Sequence, residues 1–172
     1  MIQNNFFQLQ RSRQEVNIMN LESESMEGVQ LKIHLGNRIF VIVMADKTID
    51  IRQWCNPRGK GSHATNLGIH LTPENWMKLL GANEHLVADI KHVMDKRRVN
   101  KFYPVGDGIY ASIRSPNWLV DVRLWCDGED GLLRPGWKGI RLNFVLWGRL
   151  MFYADSITAA IKKPQEAVIN KS

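Results

Sequence analysis

The chain has 172 residues, a length that suits one ordinary domain or two small ones. Hydrophobic residues make up 44%, which supplies a packed core and excludes a disordered chain. The formal net charge of +6 favours a polyanionic partner, nucleic acid or an anionic membrane surface.

Residues 1–28 read as a mostly flexible polar tail. They lack the apolar core of a signal peptide. Arg11 and Arg13 would suit a mitochondrial presequence, but Glu15, Glu22, Glu24 and Glu27 argue against one, and Phe6 and Phe7 are free to dock elsewhere. No apolar run approaches the roughly 20 residues of a membrane span, so no membrane partner is expected.

From residue 29 to about 98 the pattern changes. LKIHL at 31–35 alternates apolar and polar, the period of a half-buried strand, and Gly36 and Asn37 signal a turn. RIFVIVMA at 38–45 is rich in β-branched residues, Asp46 and Lys47 turn, and TIDIRQW at 48–54 alternates again. NPRGKGSHATN at 56–66 reads as a long polar loop before a short fourth strand, LGIHL at 67–71. Thr72 suits an N-cap, Pro73 the first helical position and Glu74 the positive end of the helix dipole. Trp76, Leu79, Leu80, Leu86, Val87, Ile90 and Val93 keep helical spacing, with Gly81 a candidate kink. KHVMDKRRVNK at 91–101 is strongly basic, either a solvated helix end or a phosphate contact.

The second unit, 99–163, repeats this plan. Its expected strands are 101–104, 109–115, 118–126 and 138–142. Asn143 caps a helix reaching about Lys162, and 164–172 is a tail. Shifted by 71 positions, IDIRQWC at 49–55 falls on VDVRLWC at 120–126, and GIHLTPENW at 68–76 falls on GIRLNFVLW at 139–147. The identities include Ile42/Ile113, Asp50/Asp121, Arg52/Arg123, Trp54/Trp125, Cys55/Cys126, Gly68/Gly139 and Trp76/Trp147, with no gap needed from 42 to 90. The expected fold is therefore α+β. It consists of two tandem ββββα units, each a curved four-stranded antiparallel sheet with a long helix, packed together because each alone buries a limited core.

A curved sheet with aromatic and basic residues on one face suits a single strand: bases stack on rings and cations neutralise phosphates. The candidates are Arg52, Lys47 and Lys60 in unit one, and Arg114, Trp118, Arg123, Arg134, Trp137 and Lys138 in unit two. Trp118 and Trp137 lie beside turns and either stack bases or pack on the other unit. Trp76 and Trp147 share a helix face with leucines and belong in the core, while Trp54 and Trp125 divide between core and surface. Asp50 and Asp121 each stand two residues from an arginine on one strand face, which reads as an ion pair rather than general acid chemistry. The five histidines show no metal-ligand spacing, GKGS at 59–62 lacks the phosphate-loop spacing, and Cys55 and Cys126 form neither a CxxC pair nor a disulfide framework. No enzyme activity, metal or cofactor is expected.

The run VDVRLWCDGEDGLLRPGWKGIRLN at 120–143 resembles the C-terminal domain of the transcriptional coactivator positive cofactor 4 family. That family carries an "IDIRE-aromatic" strand, an acidic loop, a "PGxKGI" turn and a "SLxPEQW" helix start. Unit two keeps Pro135, Gly136, Lys138, Gly139 and Ile140, and unit one keeps IDIRQW and LTPENW, so the motifs cover about 30–163. The resemblance implies a ββββα fold that dimerises through its helices and binds single-stranded DNA, here as an intramolecular pseudo-dimer, with whole chains able to associate further. It implies a nuclear role in transcription or in handling melted DNA; an RNA ligand, a viral or organellar setting, and an adaptor role with residual nucleic-acid binding are the alternatives. Lys138 matches the channel lysine, Arg134 a basic loop residue, Arg52 and Arg123 the strand arginine, and Trp118 lies near the turn that carries a stacking phenylalanine. Cys55 and Cys126 stand where the family has its stacking tryptophan, unless Trp54 and Trp125 serve by a one-residue shift, and Leu67 replaces its channel lysine, which implies that unit one binds weakly or has become mainly a dimerisation partner.

Overall fold

The structure is a computed structural model that describes residues 28–57 and 61–164. Strands β1 (Val29–Gly36), β2 (Ile39–Met44), β3 (Ile49–Cys55) and β4 (His63–Leu71) form one antiparallel sheet in chain order, followed by helix α1 (Pro73–Met94). Strands β5 (Asn100–Gly106), β6 (Ile109–Arg114), β7 (Leu119–Asp127) and β8 (Leu133–Asn143) form a second, followed by helices α2 (Phe144–Phe152) and α3 (Ala154–Lys162). Each sheet starts with a two-residue hairpin whose turn residues all have positive φ: Asn37 and Arg38 (49° and 58°), Asp107 and Gly108 (52° and 72°). That turn geometry matches the twist of the flanking strands. The tail expectations, Phe6 and Phe7 included, lie outside the described residues.

Three expectations need correction. The stretch 63–66 is not loop. His63 and Ala64 pair with Cys55 and Trp54, and in unit two Leu133 to Pro135 pair with Asp127 to Trp125, so the fourth strand is longer than its apolar part. Backbone pairing satisfies those peptide groups whatever their polar side chains, which is why hydropathy missed them. Gly81 does not interrupt α1, which runs 22 residues. The second helix does break, at Tyr153, and its two parts meet at 45°. No proline or glycine stands there. The bend leaves Ile157 fully buried and puts Thr158 Oγ1 3.0 Å from the indole N–H of Trp76.

The repeat also has a register step. Val43 pairs with Ile49, but Ile113 pairs with Val120, so the connection between the second and third strands is one residue longer in unit two. Structural equivalence therefore runs at an offset of 70 through the first hairpin and 71 from the third strand onward. Ile42 corresponds to Ser112, and its identity with Ile113 is coincidental.

Alternation decides the layers. Leu35, Val41, Val43, Ile49, Ile51 and Leu71 point inward from the first sheet, and Val105, Ala111, Ile113, Val120, Val122 and Leu142 from the second. With Trp76, Leu79, Leu86, Trp147, Leu150 and Ile157 from the helices they make one contiguous cluster. Helix α1 starts with a capping box: Thr72 Oγ1 accepts from the Asn75 amide (3.1 Å) and Asn75 Oδ1 from the Thr72 amide (3.0 Å). Asn75 Nδ2 then donates to Val105 O (3.2 Å) and Asp107 Oδ2 (2.9 Å) in the other half. Arg149 Nη1 donates to Leu35 O (2.8 Å), and Trp147 Nε1 to Asn83 Oδ1 (3.1 Å).

Tyr103 on β5 donates its hydroxyl to Asp89 on α1, a mostly buried carboxylate. Burial, then the hydrogen bond and charge of Asp89, push the phenol from 10.0 up to about 12. A folded pKa above the unfolded one means this stabilisation is complete below pH 10 and is lost as pH rises toward 12. An absorbance titration should therefore show one tyrosine phase displaced to about pH 12 that Tyr103→Phe removes; a displaced phase surviving in that variant would belong to another residue.

Candidate nucleic-acid interface

The face of the second sheet turned away from the core is set by strand pairing. Phe102 lies opposite Ser112, Tyr110 opposite Arg123, Ser112 opposite Asp121, and Asp121 opposite Arg141. Trp125 follows Asp121 and Arg123 in strand alternation and lies on this face, past an irregularity in the pairing with β8 between Arg123 and Trp125. Its ring meets Phe102 edge-on (5.3 Å, 87°) and Tyr110 likewise (6.1 Å, 71°). Beside these rings runs an open groove of about 430 Å³ that includes Phe102, Arg114, Arg123, Trp125 and Arg141 in its lining. An apolar recess of about 190 Å³ adjoins it, walled by Phe102, Tyr110, Trp125 and Leu133.

Arg114 ends β6 at the rim. Its guanidinium lies 6.0 Å from the Phe102 ring and its Nε donates to Asn100 Oδ1 (3.1 Å). It also lines a second groove, of about 920 Å³, with Lys96, Arg97, Arg98 and Trp118. The basic linker and Trp118 thus share one concavity that meets the sheet face at Arg114. Trp118 is 54% exposed and rests near Phe144 (5.7 Å between rings).

The remaining expected residues are placed differently. Arg123 directs Nε to both oxygens of Asp121 (3.2 and 3.1 Å) and Nη1 to Gly136 O (2.9 Å). Arg52 repeats this with Asp50 and with Thr65 O (2.7 Å). Both side chains lie flat over glycines, where a Cβ on Gly68 or Gly139 would come within about 3.0 Å of the arginine. These arginines tie the third strand to the fourth across the bulge, and most of their donors face the sheet. Arg134 forms an exposed pair with Asp130 (2.6 Å), and that hydrogen bond, then the Leu132 amide, holds the Asp130 carboxyl below its ordinary range. Trp137, 68% exposed, has Lys138 Nζ 5.4 Å from its ring. Neither Trp137, Lys138 nor Arg134 lines the two grooves. Lys47, at positive φ in the β2–β3 turn, donates to Gln30 (3.1 Å), and Lys60 lies outside the described residues.

Phe102, Tyr110 and Arg141 were not singled out by sequence. Strand parity was the available signal: Phe102 and Tyr110 occupy alternate positions to the core residues Val105 and Ile109. No family model matches the chain, and no solved structure matches it.

Proposed function

We propose that this protein is a non-enzymatic single-stranded-DNA-binding module, its two units packed as an intramolecular pseudo-dimer. The observation that carries the reading is the outer face of the second sheet, where accessible aromatic rings border an open groove with Arg114 and Arg141 at hand. Rings of this kind take unstacked bases, which a duplex does not offer, while cations follow the phosphates. The resemblance to the positive cofactor 4 family favours DNA and a role in transcription or on melted DNA in the nucleus.

Reciprocal contacts support the pseudo-dimer. Gly36 ends β1 at φ 116° with Arg149 and Leu146 of the other half against it; Gly106 ends β5 at φ 105° with Lys78 and Asn75 against it. Leu146 and Arg149 correspond to Asn75 and Lys78 at the repeat offset, so each half receives the start of the other's helix in the same way, as an isologous interface requires.

Fluorescence anisotropy with a labelled strand of about 20 nucleotides, longer than one site of this kind, tests the function. The single strand should outcompete duplex DNA, and log affinity should fall with log salt at a slope of about 0.7 per phosphate contact. RNA of the same sequence, run as a third competitor, reports which sugar is preferred. Absence of binding at low salt would overturn the reading.

A further inference from the structure

The first sheet carries the same aromatic pair as the second. Phe40 lies opposite Arg52 as Tyr110 lies opposite Arg123, and Trp54 opposite Ala64 as Trp125 lies opposite Pro135. The neighbour on the edge strand differs. Phe102, opposite Ser112, corresponds to Lys32, opposite Ile42. In unit two Phe102 makes one wall of the open apolar recess. In unit one the Lys32 ammonium sits on the rings, 5.1 Å from the centre of Phe40 and 5.0 Å from that of Trp54. His34, which replaces Pro104, stacks on Phe40 as well (4.6 Å, 26°). Lys32 and His34 thus cover the rings of Phe40 and Trp54, where Tyr110 and Trp125 line a recess with Phe102 and Leu133.

The chemistry around the open recess specifies its occupant. Its walls are apolar and aromatic, which suits a flat, uncharged ring. Arg114, whose guanidinium lies 6.0 Å from the Phe102 ring and which lines the adjoining groove, suits an anion and repels a free cation. A nucleotide satisfies both, with the base inside and the phosphate at the arginine. Resting on the single-strand reading above, we propose that each chain has one working nucleobase pocket, in unit two, and that Lys32 is the built-in plug of its counterpart in unit one. The residue at this single edge-strand position, phenylalanine or lysine, decides which unit takes a base.

The test is a titration of the full chain with a labelled thymidine oligonucleotide of about six nucleotides, at a concentration that counts equivalents. Wild type should take one equivalent. Phe102→Lys should weaken binding by about tenfold or more, the loss of one stacked base. Lys32→Phe should add a second equivalent, and the double exchange should return the count to one, now in unit one. Lys32→Ala, which unplugs the site without adding bulk, should also add a second, weaker equivalent, so the result does not depend on how a new phenylalanine packs. Unchanged affinity in Phe102→Lys, or a single equivalent in both Lys32 variants, would overturn the pocket assignment while wild-type binding kept the single-strand reading intact. A wild-type chain that binds no strand of any length would sink that reading itself. Both positions lie on the sheet surface, and matching thermal unfolding of the variants confirms that the fold is unchanged.

Discussion

Trp147→Ala is expected to lower the free energy of unfolding by about 3–5 kcal/mol, the range for removing a large aromatic side chain from a packed core. The ring is 1% exposed, sits between Leu146 and Leu150 on the buried face of α2, and sends its N–H to Asn83 of the other half's helix. Few domains have stability enough to absorb such a loss unnoticed, since the total is about 5–15 kcal/mol. Because the core cluster runs through both halves, the loss should shift one cooperative transition. Urea unfolding followed by both far-ultraviolet circular dichroism and tryptophan fluorescence checks this. Coincident curves displaced together fit a shared core. Two separated transitions, only one of them displaced, would mean that the halves fold independently. Trp76→Ala is its counterpart, fully buried and hydrogen-bonded to Thr158 of the second half.

Those two tryptophans also show what was legible in the sequence. Their match at one offset, among leucines at helical spacing, signals a repeated core, and both rings are buried as that spacing predicts. Alternation likewise locates the first three strands of each unit to within a residue or two. What hydropathy could not show was set by partners distant in sequence. The polar start of β4 is a strand because Trp54 and Cys55 pair with it. The break at Tyr153 has no local breaker and follows from contacts made by Ile157 and Thr158. The ungapped alignment concealed a one-residue step, and Ile42 against Ile113 was its cost.

The candidate interface was legible as charge and ring content but not as direction. Trp118 and Trp137 are exposed, Trp118 beside a turn as expected and Trp137 within β8 instead, because the fourth strand begins at Leu133. Arg52 and Arg123 looked equally available, but the adjacent Asp50 and Asp121, together with the glycines beneath, lay them flat on the sheet. The ion pairs were foreseeable from the two-residue spacing along one strand face. The groove was not: it needs Phe102, Arg114, Trp125 and Arg141, which come from four different strands and meet only after pairing.

Reversing Arg114 and Arg141 together should weaken single-strand binding by on the order of 100-fold near physiological salt and flatten the salt dependence by about 1.4, two phosphate contacts at about 0.7 each. These two are chosen for freedom as much as for charge. Among the described residues Arg114 has only an exposed hydrogen bond to Asn100 and a loose approach to the Phe102 ring, and it joins the sheet groove to the linker groove. The Arg141 side chain is 64% exposed and touches Asp121 at 3.3 Å, a carboxylate already held by Arg123. Exposed ion pairs of that kind contribute about 1 kcal/mol or less, so stability should change little. Arg123→Gln makes the contrast. Its side chain is 15% exposed and its guanidinium ties β7 to β8, so its loss should appear first as lower stability rather than as a changed salt slope. If instead the double reversal left the slope untouched and Arg123→Gln alone changed it, the phosphates would follow the strand junction and not the rim. The path of the nucleic acid would then have to be redrawn toward the β7–β8 extension, where Arg134, Trp137 and Lys138 stand outside both grooves.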